Sequence, residues 1–514
     1  MSDVFGRSQS LRTKDPLKVA LIGFPFYDPN FPSYPLMSLA GSIRAHCPWA
    51  EPVVLDLDYL FQPDRTLGGL LRPGIHPPCF DLGAISQRWL DGSSATPEFS
   101  ELVDFFAEFL VALDCDVLAA SVVLSSWPFA IPVLKEFGRQ RPDCPVILGG
   151  HQVSLWLELC REQALPGLLA SLQSVADWGV IGEGEISLVA LLQHLRGVNS
   201  LDQPPSGTVF LGAERAAFGP PRTEWPPLDQ IPPPDFGCVV PPPDREPNRV
   251  FEFLSMELSR GCTYKCSFCS DSGYFHGYRV KSLERLRAEI SSTRPLNYSG
   301  LYDFIGSILP LNHPSTPGIV ETIKAMSPAI TWGTYIHLAG LTREWAHRLH
   351  DAGCRIVSIG VETASDQQLL RMSKSRRGVD IEASCAWLRE AGIITELSFN
   401  FGFPGESFDS ASQTIALIER LRDHVRMKVF DFMPAVFSPF ATQSSVLEES
   451  FSGEPTPLSI VFGPHLYYHP PLYCDPEVYA FARNRLTTLG LGAEFCLERR
   501  PRGNCMAALV GAPL

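Results

Sequence analysis

The stretch Arg260-Gly261-Cys262-Thr263-Tyr264-Lys265-Cys266-Ser267-Phe268-Cys269 carries three cysteines at successive gaps of four and three residues. Thiolates are soft ligands that suit iron–sulfur clusters. Three of them can hold three irons of a four-iron cubane and leave the fourth iron open. An open iron can take a substrate, where a fully ligated cluster only passes electrons. The competing reading is a zinc knuckle. Zinc prefers a closed set of four ligands, and no further cysteine or histidine follows at knuckle spacing; His276 is the nearest candidate.

Working outward, residues 253–258 form an apolar run that reads as a strand delivering the cysteine loop at its carboxyl end. Further strands are predicted over 302–305, 330–335, 356–360, 394–400 and 429–432, with helices over 283–292, 342–352 and 379–391. Gly353 suits the left-handed end of the second of these helices. Repeated β–α units of this kind predict a barrel or partial barrel with its chemistry at the carboxyl face.

Upstream, apolar strands are predicted over 18–23, 52–56, 116–123, 145–149 and 178–181, with helical periodicity over 35–44 and 129–140. The alternation predicts an α/β domain with a parallel, doubly wound, Rossmann-like sheet. The loops after these strands hold residues 25–35, Ser125-Ser126-Trp127, Gly149-Gly150-His151 and Gly182-Glu183-Gly184-Glu185. Ligands of such sheets bind beyond the strand carboxyl ends, and glycines there let backbone approach closely. Residues 201–250 contain five proline clusters and read as a stiff linker. The expected organisation is therefore 1–200 for the first domain, 201–250 for the linker, 251–445 for the barrel, and 446–514 for a carboxyl-terminal cap over the substrate region.

The C-x3-C-x2-C loop with Phe268 before its last cysteine resembles the radical S-adenosylmethionine (radical SAM) superfamily. The resemblance continues through Ser358-Ile-Gly-Val-Glu362-Thr-Ala-Ser-Asp366, Leu369-Leu-Arg-Met372 and Lys374, and through Phe401-Gly-Phe-Pro-Gly-Glu406. It implies a [4Fe-4S] cluster on Cys262, Cys266 and Cys269, with SAM on the open iron and Phe268, Glu362 and His337 as SAM-binding candidates. Ion pairing at the barrel mouth is the alternative role for Glu362, and a satisfied barrel histidine the alternative for His337. Two positions depart from the pattern: Gly306-Ser307 stands where paired aspartates are usual, and His337 where arginine is common.

Residues 16–198 resemble the cobalamin-binding domain that precedes many radical SAM modules, with Gly182-Glu183-Gly184-Glu185 as its most specific element. The resemblance makes Ser125, Ser126, Gly149, Gly150, His151, Gly182 and Glu183 cobalamin-site candidates. No D-x-H-x-x-G pattern occurs, so the resemblance implies a cobalt with no histidine below it. The alternative is a scaffold domain that has lost its cofactor. Together the two resemblances imply a cobalamin-dependent methyltransferase acting on an unactivated carbon of a small molecule or peptide, fed by a flavodoxin- or ferredoxin-type electron donor. The competing readings are a non-methylating rearrangement or cyclisation, a radical SAM enzyme without cobalamin, and an iron–sulfur electron carrier or sensor.

The 514 residues are 45% hydrophobic and 19% charged, as expected of globular domains. A net charge of −14 argues against nucleic-acid partners. No apolar run reaches membrane-spanning length, and residues 1–15 lack the apolar centre of a signal peptide, so a cytoplasmic protein is expected. Fourteen cysteines without a secretion signal favour metal ligation and buried thiols over disulfides. Cys474, Cys496 and Cys505 match no ligand spacing, and the expectation for them is structural thiols rather than an auxiliary cluster.

Overall fold

The computed structural model describes residues 10–24, 32–60, 97–123, 126–163, 166–198, 203–212, 216–241, 251–326, 330–374, 379–432, 438–440 and 474–491. The described residues fall into two compact units. Those before 227 and from 230 to 241 form one, and 227–229 with those from 251 onward form the other.

In the first unit, strands β1 (Leu17–Gly23), β2 (Ala50–Asp56), β3 (Val117–Ser121), β4 (Val146–Gly149) and β5 (Trp178–Val180) run parallel in the order β2-β1-β3-β4-β5. Their apolar runs are buried on both faces, as a parallel sheet covered by helices requires. The helices are α1 (Tyr34–His46), α2 (Pro97–Ala112), α3 (Trp127–Gln140), α4 (His151–Gln163), α5 (Pro166–Gln173) and α6 (Gly184–Arg196). Prolines in the first turns of α1 and α3 sit where no intrahelical donor is needed. Strand order reverses between β1 and β3, so the crevice beyond their carboxyl ends is a topological switch point.

Most of the described part of the stretch expected to be a linker belongs instead to this unit. It adds β6 (Thr208–Leu211) and β7 (Ala216–Phe218) antiparallel to the edge of β5. Beyond them the chain lies against α1 and β2. The Asp235 and Val240 amides donate to the Met37 and Val54 carbonyls at 2.9 Å each, and a Cβ on Gly41 would fall 1.8 Å from the Pro233 carbonyl oxygen. Proline clusters exclude helix, but the apolar run Thr208-Val-Phe-Leu211 between them is free to pair, and Val209 and Leu211 are buried.

The second unit is a six-stranded parallel sheet of order β15-β14-β13-β12-β11-β8. Its strands are β8 (Phe251–Glu257), β11 (Asn297–Leu309), β12 (Thr331–Ile336), β13 (Cys354–Glu362), β14 (Ile394–Phe401) and β15 (Arg426–Asp431). Successive strands in the chain are neighbours, the pattern of a partial (β/α) barrel. A two-stranded ribbon, β9 (Ser259–Arg260) with β10 (Arg279–Val280), follows β8. The helices are α7 (Leu283–Thr293), α8 (Thr316–Ala325), α9 (Arg343–Asp351), α10 (Asp366–Arg371), α11 (Ile381–Glu390), α12 (Phe408–Leu421) and α13 (Pro476–Thr488). Ser282, Thr342, Ser365, Asp380 and Ser407 each cap a helix by accepting an early backbone N–H.

Among the described residues, α13 continues helical structure past the point where the sequence shows no β–α rhythm. Tyr479 Oη on it donates to Asp431 Oδ1 at 2.7 Å, at the end of β15, and Phe481 packs edge-on against Phe408 of α12. Every described cysteine is a free thiol; Cys496 and Cys505 lie outside the described residues. No described helix is long and apolar enough to cross a membrane.

Candidate functional site

The cysteine loop is closed at its base by the β9–β10 ribbon. Gly261 opens it with φ +78°, and a Cβ there would stand 2.0 Å from the Gly277 carbonyl oxygen. Only glycine fits such a crossing. Arg260 Nε on β9 donates to Glu257 Oε1 at 2.7 Å, which fixes the entry from β8. Within the loop, Ser272 Oγ donates to the Cys269 carbonyl at 2.7 Å. The Tyr264 amide donates to Cys262 Sγ at 3.4 Å, the kind of contact that tunes a bound cluster. The Ser267 amide donates to the Met372 carbonyl at 2.9 Å, and the Phe440 amide to the Ser267 carbonyl at 2.8 Å.

Burial pushes the Cys262, Cys266 and Cys269 thiols up, Cys269 to about 12. Such thiols hold their protons until a metal replaces them. Three free thiols on one loop, with an amide on one sulfur, are a donor set that fits an iron–sulfur cluster. Among the described residues no three His, Cys, Asp or Glu side chains converge on a point that one metal ion could occupy.

Lys374 brings the expected site residues together. It follows α10 with its side chain 10% exposed, and Nζ lies 2.7 Å from Glu362 Oε1. Burial pulls its pKa down, but Glu362 and the thiols of Cys266 and Cys269 outweigh this, and the net shift is upward. Nζ also lies 5.7 Å over the Phe268 ring. Glu362, the last residue of β13, has φ +65°, uncommon for a residue with a side chain. Its other oxygen accepts from Asn400 Nδ2 on β14. A Cβ on Gly360 would lie 2.4 Å from Glu362 Oε1 and 2.9 Å from Lys374 Nζ, so glycine there makes room for the pair.

His337 stacks on Tyr264 of the cysteine loop with ring centroids 4.1 Å apart. Its Nδ1 accepts the Ala339 amide at 3.0 Å. Burial, with a smaller push from Lys374, lowers its pKa to about 4, so the ring is neutral with its proton on Nε2. Both alternatives weighed for Glu362 and His337 thus have counterparts in the fold: an ion pair for one, a ring satisfied at one nitrogen for the other. Lys374, Tyr264 and Asn400 were given no role from sequence. Lys374 was visible only as part of the matching run.

Glu406 closes the turn after β14. Its Oε2 accepts the Gly402 amide at 2.6 Å, and burial pushes its pKa to about 7. Gln368 Nε2 donates to the Phe403 and Pro404 carbonyls at 3.2 and 3.3 Å. This turn shapes the barrel mouth, and Phe403, Phe432 and Met372 form an apolar cluster there with Phe268 and Phe440 against it.

In the first unit the candidate residues cluster at the carboxyl edge of the sheet. Gly150 has φ +100°, and a Cβ on it would come 2.5 Å from the Val122 carbonyl oxygen. Gly182 has φ +77°, and its amide donates to Ser154 Oγ at 2.9 Å. The buried Glu183 offers its carbonyl to Arg222 Nη1 at 2.7 Å, and Glu185 Oε1 accepts from Ser38 Oγ at 2.8 Å, tying α6 to α1. Ser126 is buried, and its hydroxyl is engaged with the Val123 amide and carbonyl, both at 3.1 Å, closing the turn before α3. His151 is neutral, lowered to about 4 by burial. Ser125 lies outside the described residues. The first turn of α4 also buries the Gln152 amide with neither end hydrogen-bonded among the described residues, which leaves polar capacity for a ligand carrying amides.

Residues 256–418 match the family described as the Radical SAM superfamily. An uncharacterized methyltransferase of Pyrococcus horikoshii is 26% identical over 345 residues, 65% of this chain and 69% of that protein. The hopanoid C-3 methylase of Methylococcus capsulatus is 32% identical over 200 residues, which are 37% of this chain and 35% of that one. Among solved structures, the radical S-adenosylmethionine methyltransferase TsrM from Kitasatospora setae, with cobalamin and a [4Fe-4S] cluster bound, shares the fold at a TM-score of 0.59 and 16% identity. The likeness covers 94% of this chain and 92% of that one. Residues 256–418 are therefore a radical SAM domain, with the cysteine loop at the end of its first barrel strand, and the fold, with a Rossmann-like unit before that barrel, is the one seen in TsrM.

Proposed function

We propose that the chain is a cobalamin-dependent radical SAM methyltransferase, moving a methyl group from SAM to an unactivated carbon of a small molecule or peptide. The observation that carries this reading is the loop of Cys262, Cys266 and Cys269 seated beside the Lys374–Glu362 pair, in a chain whose other unit ends its parallel strands in glycine turns. Bound together, a [4Fe-4S] cluster, SAM and cobalamin supply electron transfer, hydrogen abstraction and methyl delivery.

The residues of the chain bind, orient and exclude water. The three cysteines hold three irons. Lys374, anchored by Glu362, sets positive charge beside Cys266 and Cys269 and so offsets part of the negative charge of a thiolate-bound cluster. Glu362, held by Lys374 and Asn400, is the acceptor for the SAM amino group or ribose. His337, with Nδ1 occupied, offers Nε2–H to a SAM oxygen or to substrate. Phe268 and the aromatic cluster behind it form an apolar wall that keeps water from the reacting groups. The first unit takes cobalamin over Gly149, Gly150, His151, Gly182 and Glu183. The enzyme works in the cytoplasm with a flavodoxin- or ferredoxin-type donor.

The test is anaerobic protein with its cluster reconstituted, given cobalamin, SAM and reductant. The expected products are 5′-deoxyadenosine together with S-adenosylhomocysteine, both lost in Cys266→Ala. Formation of 5′-deoxyadenosine alone would replace methyl transfer with a non-methylating radical reaction. A cluster-loaded protein that leaves SAM intact would refute the enzyme assignment.

A further inference from the structure

Gln152 is the second residue of α4, directly after the Gly149-Gly150-His151 turn at the carboxyl end of β4. Its side chain is fully buried, yet neither Nε2 nor Oε1 has a hydrogen-bond partner among the described residues. Buried amides are nearly always paired, and an orphaned end forfeits its hydration with nothing in return. Both ends of one side chain left bare point to a partner that comes from outside the fold.

The surroundings say where that partner sits. Ser154, two residues on, faces the sheet side, where it accepts the Gly182 amide at 2.9 Å and donates to the Gly150 carbonyl at 2.8 Å. Trp156, one helical turn past Gln152 and on the same face, packs against Trp127, the first residue of α3, with ring centroids 3.9 Å apart. The Gln152 amide therefore lies on the side of α4 that faces α3, level with the first turns of both helices. That is the carboxyl edge of the sheet, where α/β folds take their ligands.

We propose that Gln152 is a cofactor-positioning residue whose carboxamide pairs with a side-chain amide of the corrin ring, an inference that rests on the first unit taking cobalamin. The chemistry selects this group. A primary amide donates through nitrogen and accepts through oxygen, so a second primary amide satisfies both ends at once. A phosphate or carboxylate would occupy Nε2 and leave Oε1 bare. The corrin periphery carries several primary amides, and neutral groups such as His151 beside Gln152 set up no competing charge.

The test uses the full chain freed of corrinoid, as wild type, Gln152→Leu and Gln152→Met. Two quantities are measured: the thermal midpoint without cofactor, and the affinity for added hydroxocobalamin by fluorescence quenching and by corrinoid retained on gel filtration. Both variants replace an orphaned amide with an apolar group of similar volume. They should melt at or above the wild-type temperature without cofactor, while binding hydroxocobalamin about tenfold more weakly. Unchanged affinity in both variants would overturn the assignment and leave an ordered water as the partner. A lower melting temperature in both without cofactor would overturn it too, since the amide would then have a partner inside the fold. Wild type that binds no hydroxocobalamin would sink the cobalamin reading itself, and the role of Gln152 with it.

Discussion

Replacing Lys374 with methionine removes the one ammonium that Glu362 contacts among the described residues, while keeping most of the stem. Lys374 Nζ and Glu362 Oε1 are 2.7 Å apart, with side chains 10% and 7% exposed. At an effective dielectric near 20 the direct attraction is about 6 kcal/mol. Desolvation of both ions offsets much of it, so the pair contributes far less net than that figure. Breaking the pair is a different quantity: it strands a buried carboxylate with Asn400 alone, and such losses run to about 3–5 kcal/mol. For a unit of this size the midpoint should fall by about 6–20 °C. Differential scanning calorimetry at neutral pH on the full chain reads it, in the transition belonging to the barrel.

The discriminating arm is a double-mutant cycle with Glu362→Gln, which keeps the shape at φ +65° and the contact to Asn400. Lys374→Met on that background should cost much less than on wild type, with a coupling of about 2–3 kcal/mol. The reasoning would be refuted if the two losses added, or if Lys374→Met alone cost under about 1 kcal/mol, the range of a solvated surface pair. The cycle also bears on function, because the same ammonium sits beside Cys266. Lys374→Met should therefore shift the reduction potential of the reconstituted cluster, whereas Glu362→Gln should leave it nearer the wild-type value.

Gly261→Ala places a Cβ 2.0 Å from the Gly277 carbonyl at φ +78°, so the base of the loop must open; iron content after reconstitution should fall well below one cluster per chain while the helical circular dichroism persists. Gly41→Ala drives a Cβ to 1.8 Å from the Pro233 carbonyl, which should lift the proline-rich segment from α1 and open it to limited proteolysis between 226 and 241. Glu406 titrates near 4.5 when unfolded and near 7 when folded. Between those values the folded state keeps a proton that the unfolded state has lost, so stability falls as pH rises, by about 3 kcal/mol in all, and is level above 7. Urea unfolding from pH 4.5 to 8 should show that slope in the difference between wild type and Glu406→Gln, which keeps an oxygen for the Gly402 amide, because His151 and His337 contribute with the opposite sign in both proteins.

The parts of this fold that were legible in the sequence are those written as a period along the chain. The strands of both sheets are apolar runs with turn residues at their ends, and each predicted strand has a counterpart shifted by only a few residues. The cysteine loop is legible because its ligands are local to one another. Residues 201–250 read as a linker because proline density dominates their composition, while the pairing of Thr208–Leu211 with β5 is a long-range event with no local mark. The polar contacts within the expected site loops were illegible for a related reason. Ser126 and Glu183 sit in the expected loops, but the Ser126 hydroxyl is consumed by its own turn and the Glu183 carbonyl by Arg222, a residue 39 positions away. Nothing local in the sequence marks Lys374 or Gln152 as enclosed, since a lysine after a short helix and a glutamine in a first turn are ordinarily solvated. Enclosure reverses the meaning of both. An enclosed charge must find its counter-charge, and Lys374 finds Glu362, twelve residues back at the end of β13, at a separation that no spacing rule announces. A buried amide must find a donor and an acceptor, and Gln152 finds neither among the described residues. The two cases are settled by one rule applied in opposite directions: a satisfied pair marks what the fold has already assembled, and an unsatisfied group marks what it has left for a ligand to supply.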